Sequence, residues 1–459
     1  MSFDFKRKFY ESLPASLKQT VKLIPFSWLA GKKYREFLAR GIKLDHADRP
    51  VVLNIQERLL RDVLRFAVSE VPAYRSLASV VDRLEPFEAL KAFPLLDKDT
   101  VHKNQDLYLP KSFKNIPHYE TTTGGTSGNQ LKIYLDDASQ SMELAFMHRQ
   151  WHRVGYKTRD LKATFRGVPF PNIGNDIFWQ HNPIYNELQF SPFHMNDRTL
   201  PLYIEQIIRF KPSFFHGYPS AIDLLAEYVL RNNLQYRMPS LKAILLGSEG
   251  CSMAQRERIQ KAFNTRVFTW YGLSERVILA GECDCSDAYH HIPDYGILEI
   301  IDSDGGACAE GEKGELVGTG LFNFSMPLIR YRTDDYATKL NSYCECCGRS
   351  WDRFTNVDER RKQEMIFGRN GSKFSLAAIN MHGKIFDHVK RFQYHQTEPG
   401  MCILKIVPAP TFKQHMLIQI ESAYRQKVGD ELDFEFLLVD EIPLTIRGKL
   451  KMLVSSINK

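Results

Sequence analysis

Two clusters in this chain have residue types and spacing suited to chemistry. The first is Thr121-Thr122-Thr123-Gly124-Gly125-Thr126-Ser127-Gly128-Asn129-Gln130-Leu131-Lys132. Glycines permit positive φ, so backbone amides can converge on phosphate oxygens, and the Thr and Ser hydroxyls add donors. Lys132 adds charge. Ordinary Gly/Ser/Thr loops share this composition, and the Gly-Lys-Ser/Thr ending of a P-loop is missing. The second cluster holds five of the eight cysteines, Cys283, Cys285, Cys344, Cys346 and Cys347, with His290 and His291 between them. In a cytosolic chain such a group reads as a metal site before a disulfide framework. Cys344-x-x-Cys347-Gly348 has knuckle spacing. With His290 and either Cys283 or Cys285 it completes a four-ligand tetrahedral zinc site with no open position. A set of buried free thiols is the alternative; Cys251, Cys308 and Cys402 are scattered and read as inert.

The elements that must position these residues are legible in part. Residues 53–70 carry Ile55, Leu59, Leu60, Val63, Leu64 and Ala67 at helical spacing, and Val71-Pro72 ends that helix. From Pro212 to Tyr271 the pattern alternates. Ser220 with Asp223 caps a helix whose apolar face is Ile222, Leu225, Ala226 and Val229. A strand over Leu241–Leu246 runs into Gly247-Ser248-Glu249-Gly250. A helix over Met253–Phe263 leads to a second strand, Arg266–Thr269, and then to Trp270-Tyr271-Gly272-Leu273-Ser274-Glu275. This alternation predicts an α/β layered sheet, whose ligands bind outside the carboxyl ends of the strands. Both loops therefore fall on the ligand edge. After Ile297 the pattern turns to strands and Gly-rich turns, over Leu298–Ile301 and Gly314–Thr319. Gly368–Ser372 reads as a joint. Beyond it short strands, Cys402–Val407 and Leu432–Val439, alternate with helices and suffice for a small α+β domain.

Bulk properties exclude several classes. The 459 residues, 43% hydrophobic, can bury a large core and divide into one large domain and a smaller one. The net charge of +7 suits anionic small molecules and is too diffuse for nucleic-acid binding. No run of about 18 apolar residues predicts a membrane span. Met1–Lys8 lacks the apolar core of a signal peptide, so a cytoplasmic protein is expected. The aromatic and basic opening reads as a solvated helix with one packed face. No repeat or low-complexity tract occurs.

The loop at 121–132, Tyr271-Gly272-Leu273-Ser274-Glu275, Pro327-Leu328-Ile329-Arg330-Tyr331-Arg332-Thr333-Asp334-Asp335, Phe367-Gly368-Arg369-Asn370-Gly371 and Gly448-Lys449 follow one another in that order. Together they resemble the adenylate-forming, acyl-CoA synthetase-like superfamily, and most of all its phenylacetate–coenzyme A ligase and CapK branch. The resemblance runs from about residue 50 to the end. It implies a large N-terminal AMP-binding domain over 1–367, of layered α/β sheets with a β-rich subdomain stapled by zinc around 283–347. A small mobile α+β lid over 368–459 would follow.

The resemblance also implies roles. Thr122, Thr123, Gly124, Gly125, Thr126, Ser127 and Gly128 would wrap the ATP phosphates, with Thr126 and Ser127 as hydroxyl donors and Lys132 adding charge. Glu275 would hold Mg²⁺, and Lys449 would be the catalytic lysine beside the α-phosphate, with Lys451 its local competitor. Gly247, Ser248 and Glu249 would line the adenine, and Tyr271 and Gly272 would border the adenine and acyl pockets. Asp335 would accept from the ribose hydroxyls, and Arg369 would open the joint. His216 and Tyr218 fall at the acyl pocket, where a buried histidine on a strand end is an equal alternative, and Arg166 and Trp151 would line the same cavity, though both are more often packing residues. The segment Tyr289-His290-His291-Ile292-Pro293 matches the branch's cysteine–histidine arrangement. Departures are Gln130 in place of proline, Asp334 in place of glycine, and Arg-Asn-Gly-Ser where many members carry a hinge aspartate.

The implied reaction joins a small-molecule carboxylic acid to ATP as an acyl-adenylate and passes the acyl group to a thiol, by analogy coenzyme A. A carrier protein, or a sugar amine or hydroxyl in a polysaccharide pathway with that pathway's enzymes as partners, is the alternative acceptor. Two other classes compete: a nucleotide-binding protein without turnover, and a scaffold of such a pathway. The identity of the acid and the oligomeric state are not written in the sequence.

Overall fold

A computed structural model describes residues 24–123, 131–167, 177–358, 364–381, 384–386, 388–443 and 451–457. Gly124 to Gly128 with Thr126 and Ser127, and Lys449, therefore lie outside the described residues. Contacts divide the chain into two compact units. The first draws on Met1–Thr121, Leu131–Lys157 and Trp270–Arg360, the second on Thr122–Gln130, Thr158–Thr269 and Arg361–Lys459. Among the described residues no helix is long and apolar enough to cross a membrane.

In the first unit the helix Arg49–Glu70 opens with proline in its first turn and ends at Val71, where Pro72 cannot continue it. Its buried face is Val52, Gln56, Leu60, Val63, Leu64, Ala67 and Val68. The predicted Ile55 and Leu59 are only half-buried, and Gln56 takes the buried place because its amide donates to the Gly296 carbonyl at 3.5 Å. The helix Gly31–Leu44 lies against Ser139–Trp151, and the Tyr34 hydroxyl meets His148 Nδ1 at 2.8 Å. The sheet of this unit is antiparallel. Its order is Gly296–Ile301, Lys313–Gly320, Tyr331–Leu340, Arg353–Asp358, Tyr289–His291, Leu279–Glu282 and the Trp270–Gly272 end of a strand that starts at Arg266. A separate hairpin pairs His118–Thr122 with Lys132–Asp136 on the two sides of the Thr/Gly loop.

The second unit is built on parallel strands in the order Arg266–Thr269, Ala243–Leu246, Phe214–Gly217, Lys162–Phe165 and Glu187–Phe190, with Trp179–Asn182 antiparallel at the edge. All four residues of Ala243–Leu246 are buried, as a central parallel strand requires. The helix Met253–Phe263 has a full capping box from Ser252 and Gln255. The helix Pro219–Arg231 buries Ile222, Leu225, Ala226 and Val229 as expected, but Ser220 and Asp223 do not cap it. The Glu249 carboxylate accepts from Ser220 N at 3.2 Å in that role, and Asp223 instead forms a two-point ion pair with Arg258.

The C-terminal part of this unit adds a four-stranded sheet, in the order Asp433–Leu438, Met401–Pro408, Val389–Gln396, Leu453–Ser455, with the helix Gln414–Val428. One continuous hydrophobic cluster joins it to the parallel strands, from Ala163 and Phe165 through Phe193 and Phe374 to Tyr394 and Tyr424. The stretch read as a joint is a hairpin turn between Met365–Phe367 and Lys373–Ser375, closed by Gly368 N donating to Ser372 O at 2.7 Å. A Cβ at Gly368 would stand 2.2 Å from Ser372 Oγ and 3.0 Å from Glu431 Oε2, so a side chain there would have to push the Ser372 hydroxyl off Glu431. The buried Glu431 carboxylate straps this turn, accepting from Asn370 N, Asn370 Nδ2, Asn196 Nδ2 and Ser372 Oγ.

Lys427 is the unusual buried group of the unit. Its ammonium donates to Asn380 O at 2.7 Å and Ile379 O at 3.2 Å, and burial pushes its pKa down from 10.5 to about 7. Between these values the unfolded chain binds a proton that the folded chain does not. Stability is therefore expected to rise as pH rises from 7 towards 10, by up to about 1.4 kcal/mol per pH unit from this group. Urea titrations across that range should show the slope in the native protein and its loss in Lys427→Met. An unchanged slope would assign the pH dependence to other groups.

Candidate active site

In the first unit, Tyr271 and Asp335 come together although 64 residues separate them: the phenol donates to Asp335 Oδ2 at 2.9 Å. Tyr271 is the next-to-last residue of its strand and pairs with Ala280, and Asp335 lies on Tyr331–Leu340. Thr333 Oγ1 accepts from Asp335 N at 3.1 Å and donates to Leu316 O at 2.8 Å, which fixes the turn. Asp334 has φ +59°, the left-handed conformation that a glycine adopts without cost. Its amide donates to Glu315 Oε1 at 3.1 Å, and Glu315 also accepts from Arg332 at 2.6 Å. Arg332 therefore has Glu315 as its ion-pair partner.

Glu275 follows on the same loop as Tyr271, and its carboxylate accepts from the Tyr331 hydroxyl at 3.0 Å. Burial, reinforced by Glu275, holds the Tyr331 phenol well above its usual range, so it stays a donor. The neighbouring Arg276 sits at φ +55° and pairs with Glu143 at 2.8 Å, which anchors the loop. Thr122 and Thr123 are buried at the start of the Thr/Gly loop. At its far end Lys132 pairs with Glu120 at 3.3 Å, so part of its charge is met inside the hairpin.

In the second unit, the carboxyl ends of three adjacent parallel strands gather the other predicted residues. Arg166 stands one residue beyond Lys162–Phe165, and His216 is in Phe214–Gly217 with Tyr218 next to it. Ser248 follows Ala243–Leu246 at φ +69°. Arg166 Nη2 donates to Ser248 Oγ at 2.9 Å, and its guanidinium lies 5.0 Å from the Tyr218 ring centroid. Glu249 Oε1 accepts from Ser375 Oγ, which also accepts from Ala378 N and so caps the short helix Leu376–Ile379. Burial raises the Glu249 carboxyl pKa against these hydrogen bonds. Arg369 turns to its own C-terminal segment, pairing with Asp433 and donating to Asp430 O at 3.2 Å.

The cysteine cluster is compact. Cys283 follows Leu279–Glu282, His290 lies on Tyr289–His291, and Cys344 and Cys347 come from one turn closed by Gly348 N donating to Cys344 O at 2.7 Å, with Gly348 at φ +73°. The ligand atoms of these four residues all lie within 4.8 Å of one another. Cys283 and Cys344 sulfurs are 3.8 Å apart, and Cys347 Sγ is 3.7 Å from His290 Nε2. A tetrahedron with bonds of about 2.3 Å to sulfur has edges of about 3.8 Å, so the donor set fits zinc. Burial, with the nearby arginines 153, 353 and 349, pushes the His290 pKa down to about 2, which leaves the neutral imidazole that ligates metals. Cys285, one of two candidates for the first thiolate, is instead disulfide-bonded to Cys346. Arg153 donates to the Gly281 and Glu282 carbonyls at 2.9 Å and so braces the strand that leads into Cys283.

The AMP-binding enzyme family matches residues 188–326, and the CapK C-terminal domain matches residues 366–456. Protein CapK of Staphylococcus aureus is 23% identical over 381 residues, covering 80% of each chain. Phenylacetate-coenzyme A ligase of Thermus thermophilus is 31% identical over 359 residues, 74% of this chain and 75% of that one. The chain belongs to the adenylate-forming superfamily, in its CapK and phenylacetate–coenzyme A ligase branch. A crystal structure of 2-hydroxyisobutyryl-CoA ligase in complex with 2-HIB-AMP and CoA shares the fold at a TM-score of 0.57, with 16% identity over 89% of this chain and 91% of that one. The protein is an adenylate-forming ligase. For such a ligase the sequence motifs left several supports unnamed. Ser375 on Glu249, Glu315 under Asp334 and Glu431 at the hairpin belong to no motif. Tyr331 lies inside the Pro327–Asp335 motif, but its place behind Glu275 is set by the fold.

Proposed function

We propose that this ligase activates a small-molecule carboxylic acid with MgATP, releasing pyrophosphate, and passes the acyl group to coenzyme A. The observation that carries the reading is the Tyr271–Asp335 hydrogen bond, which joins the Tyr-Gly-Leu-Ser-Glu and Thr-Asp-Asp motifs in one place. Both reactants are anions, so the site must supply positive charge and donors. The Thr122–Gly128 loop takes the phosphates, and Glu275, oriented by Tyr331, supplies an oxygen for Mg²⁺, a hard ion. Gly247 to Glu249 line the adenine, Tyr271 and Gly272 border it, and Asp335 accepts from the ribose. His216, Tyr218 and Arg166 line the acyl side. Zinc in the Cys283, His290, Cys344 and Cys347 set is structural, because four protein ligands leave no position for substrate. The relatives named as coenzyme A ligases support the acceptor.

A carboxylate that accepts two ribose hydroxyls contributes charge-assisted hydrogen bonds. Asp335→Ala is therefore expected to weaken binding of a non-hydrolysable ATP analogue by about 10- to 100-fold, and Tyr271→Phe by only a few-fold. Calorimetric affinity checks this, and an unchanged value for Asp335→Ala removes the residue from the nucleotide site.

The test of the whole reading is pyrophosphate release with MgATP across a panel of acids, each with and without coenzyme A. Release that depends on one acid supports adenylation, and stimulation by coenzyme A supports the thioester. A second acceptor, a sugar amine or hydroxyl in polysaccharide synthesis, draws on the CapK match over 366–456. Acid-dependent release that coenzyme A leaves unchanged and an amino sugar stimulates would favour it.

A further inference from the structure

The chain's excess of positive charge is not spread along it. From Met1 to Leu44 ten lysines and arginines stand against three acids, an excess of seven that equals the net charge of the whole chain. Beyond Leu44 bases and acids balance. The described part of this segment holds the short helix Phe26–Leu29 and the helix Gly31–Leu44. One face of the longer helix is taken up by packing. Tyr34, Gly41 and Leu44 are buried, and Ala30 and Tyr34 cluster with Ala145. Phe26 sets its ring 5.4 Å from that of Tyr34, which holds the short helix to the same side. On the other face Lys32, Arg35, Ala39 and Ile42 recur every three or four residues, with Lys43 beside them, and all are exposed. Glu36 is the single acid of this helix, shared by Lys32 at 3.5 Å and Lys33 at 3.6 Å. Arg35 donates to Ser27 O at 2.9 Å, which brings the basic face beside Trp28. Trp28 is 70% exposed and Ile42 51%, so two large apolar side chains stand in water among the cations.

We propose that this face docks the protein peripherally on an anionic phospholipid surface, through Trp28, Lys32, Lys33, Arg35, Ile42 and Lys43. A lipid interface satisfies both kinds of side chain at once. Ammonium and guanidinium groups meet anionic headgroups, an indole rests at headgroup level, and an aliphatic chain enters the acyl boundary. A nucleic acid would match the charges and leave Ile42 in water. Docking of this kind does not depend on the adenylation reading, because it sets where the protein sits and not which acid it activates.

The test sediments the full chain with sucrose-loaded vesicles, of phosphatidylcholine alone or mixed equally with phosphatidylglycerol. The native protein is expected to bind the anionic vesicles about 100-fold more tightly than the neutral ones, and to lose most of that preference between about 50 and about 300 mM salt. Lys32→Glu combined with Lys33→Glu and Lys43→Glu should cost about 30-fold or more on anionic vesicles, with Tm unchanged. Trp28→Ser should cost several-fold at either salt concentration, since its contribution is not electrostatic. Reversing three exposed lysines elsewhere, Lys103, Lys261 and Lys413, should cost only a few-fold. The salt series on native protein tests the charges even where the triple variant fails to fold. Equal binding to both vesicles, or the same loss from the three control reversals, would overturn the proposal. Tighter binding to a DNA duplex than to anionic vesicles at one salt concentration, with Trp28→Ser without effect on the vesicles, would assign the face to nucleic acid and overturn it as well.

Discussion

Alanine at Lys449 is expected to lower acid-dependent adenylation by about 10²- to 10³-fold in kcat while leaving nucleotide affinity within a few-fold. The reason lies in where charge grows. As the carboxylate attacks the α-phosphorus, negative charge spreads over the phosphoryl oxygens and the departing pyrophosphate. An ammonium that meets it only then stabilises the transition state more than the bound ATP. Lys449 lies outside the described residues, but the chain is fixed two residues later. Gln393 Nε2 donates to Lys451 O at 2.6 Å, Tyr394 N donates to Met452 O at 2.8 Å, and Leu453–Ser455 pairs in parallel with Tyr394–Gln396. Lys451 itself has an exposed side chain, and Lys451→Ala is expected to change kcat only a few-fold. Pre-steady-state pyrophosphate release, with ATP affinity measured in parallel, separates the two lysines. A collapse of ATP affinity in Lys449→Ala would make it a ground-state phosphate ligand, and a larger loss at Lys451 would exchange their roles.

The fold was legible wherever a local pattern repeats. The Met253–Phe263 helix announces itself through Ser252 and Gln255, two residues that cap it within its own first turn. The strands at Ala243–Leu246 and Arg266–Gly272 are short apolar runs ended by loops rich in glycine and hydroxyls. The Arg49–Glu70 helix was recognisable by period, but its exact face was not. One glutamine with a backbone acceptor displaced two larger apolar residues from the buried stripe.

What escaped the sequence is the set of carboxylates that act at a distance. Glu249 caps a helix that starts 30 residues earlier, a job that Ser220 and Asp223 seemed placed to do. Glu431 holds the hairpin at Gly368–Ser372, the stretch read as a joint, through Asn370 N and Ser372 Oγ. Neither residue belongs to a periodic pattern, and each is defined only by what the tertiary fold brings to it. The left-handed Asp334 is a milder case. Its position called for glycine on family grounds, and the φ of +59° with a Glu315 acceptor shows how an aspartate serves there. The proposed site residues were read from motifs, because the chemistry of phosphate, ribose and metal narrows the usable residue types more than packing does.

Loss of the cysteine–histidine tetrad is expected to cost more than one local contact. Purified protein should carry one zinc per chain, and Cys347→Ser or Cys344→Ser should remove it and lower Tm by roughly 10 °C. The metal would tie the strands Leu279–Glu282 and Tyr289–His291 to the turn at Cys344–Cys347. His290 pairs with Gly281 and His291 with Ala280, while Ala280 is also the partner of Tyr271. The register beneath Tyr271 thus depends on strands that the tetrad closes, and Asp335 lies on the strand that leads into Cys344. Metal loss should therefore weaken nucleotide binding together with stability. Cys285→Ser should leave zinc in place, because its partner is Cys346 and not the tetrad, and Cys402→Ser should do the same from inside the second unit. Elemental analysis with thermal melts of the four variants decides the ligand set. Unchanged zinc in Cys347→Ser removes that residue from it, and zinc lost from Cys285→Ser would move the first thiolate from Cys283 to Cys285.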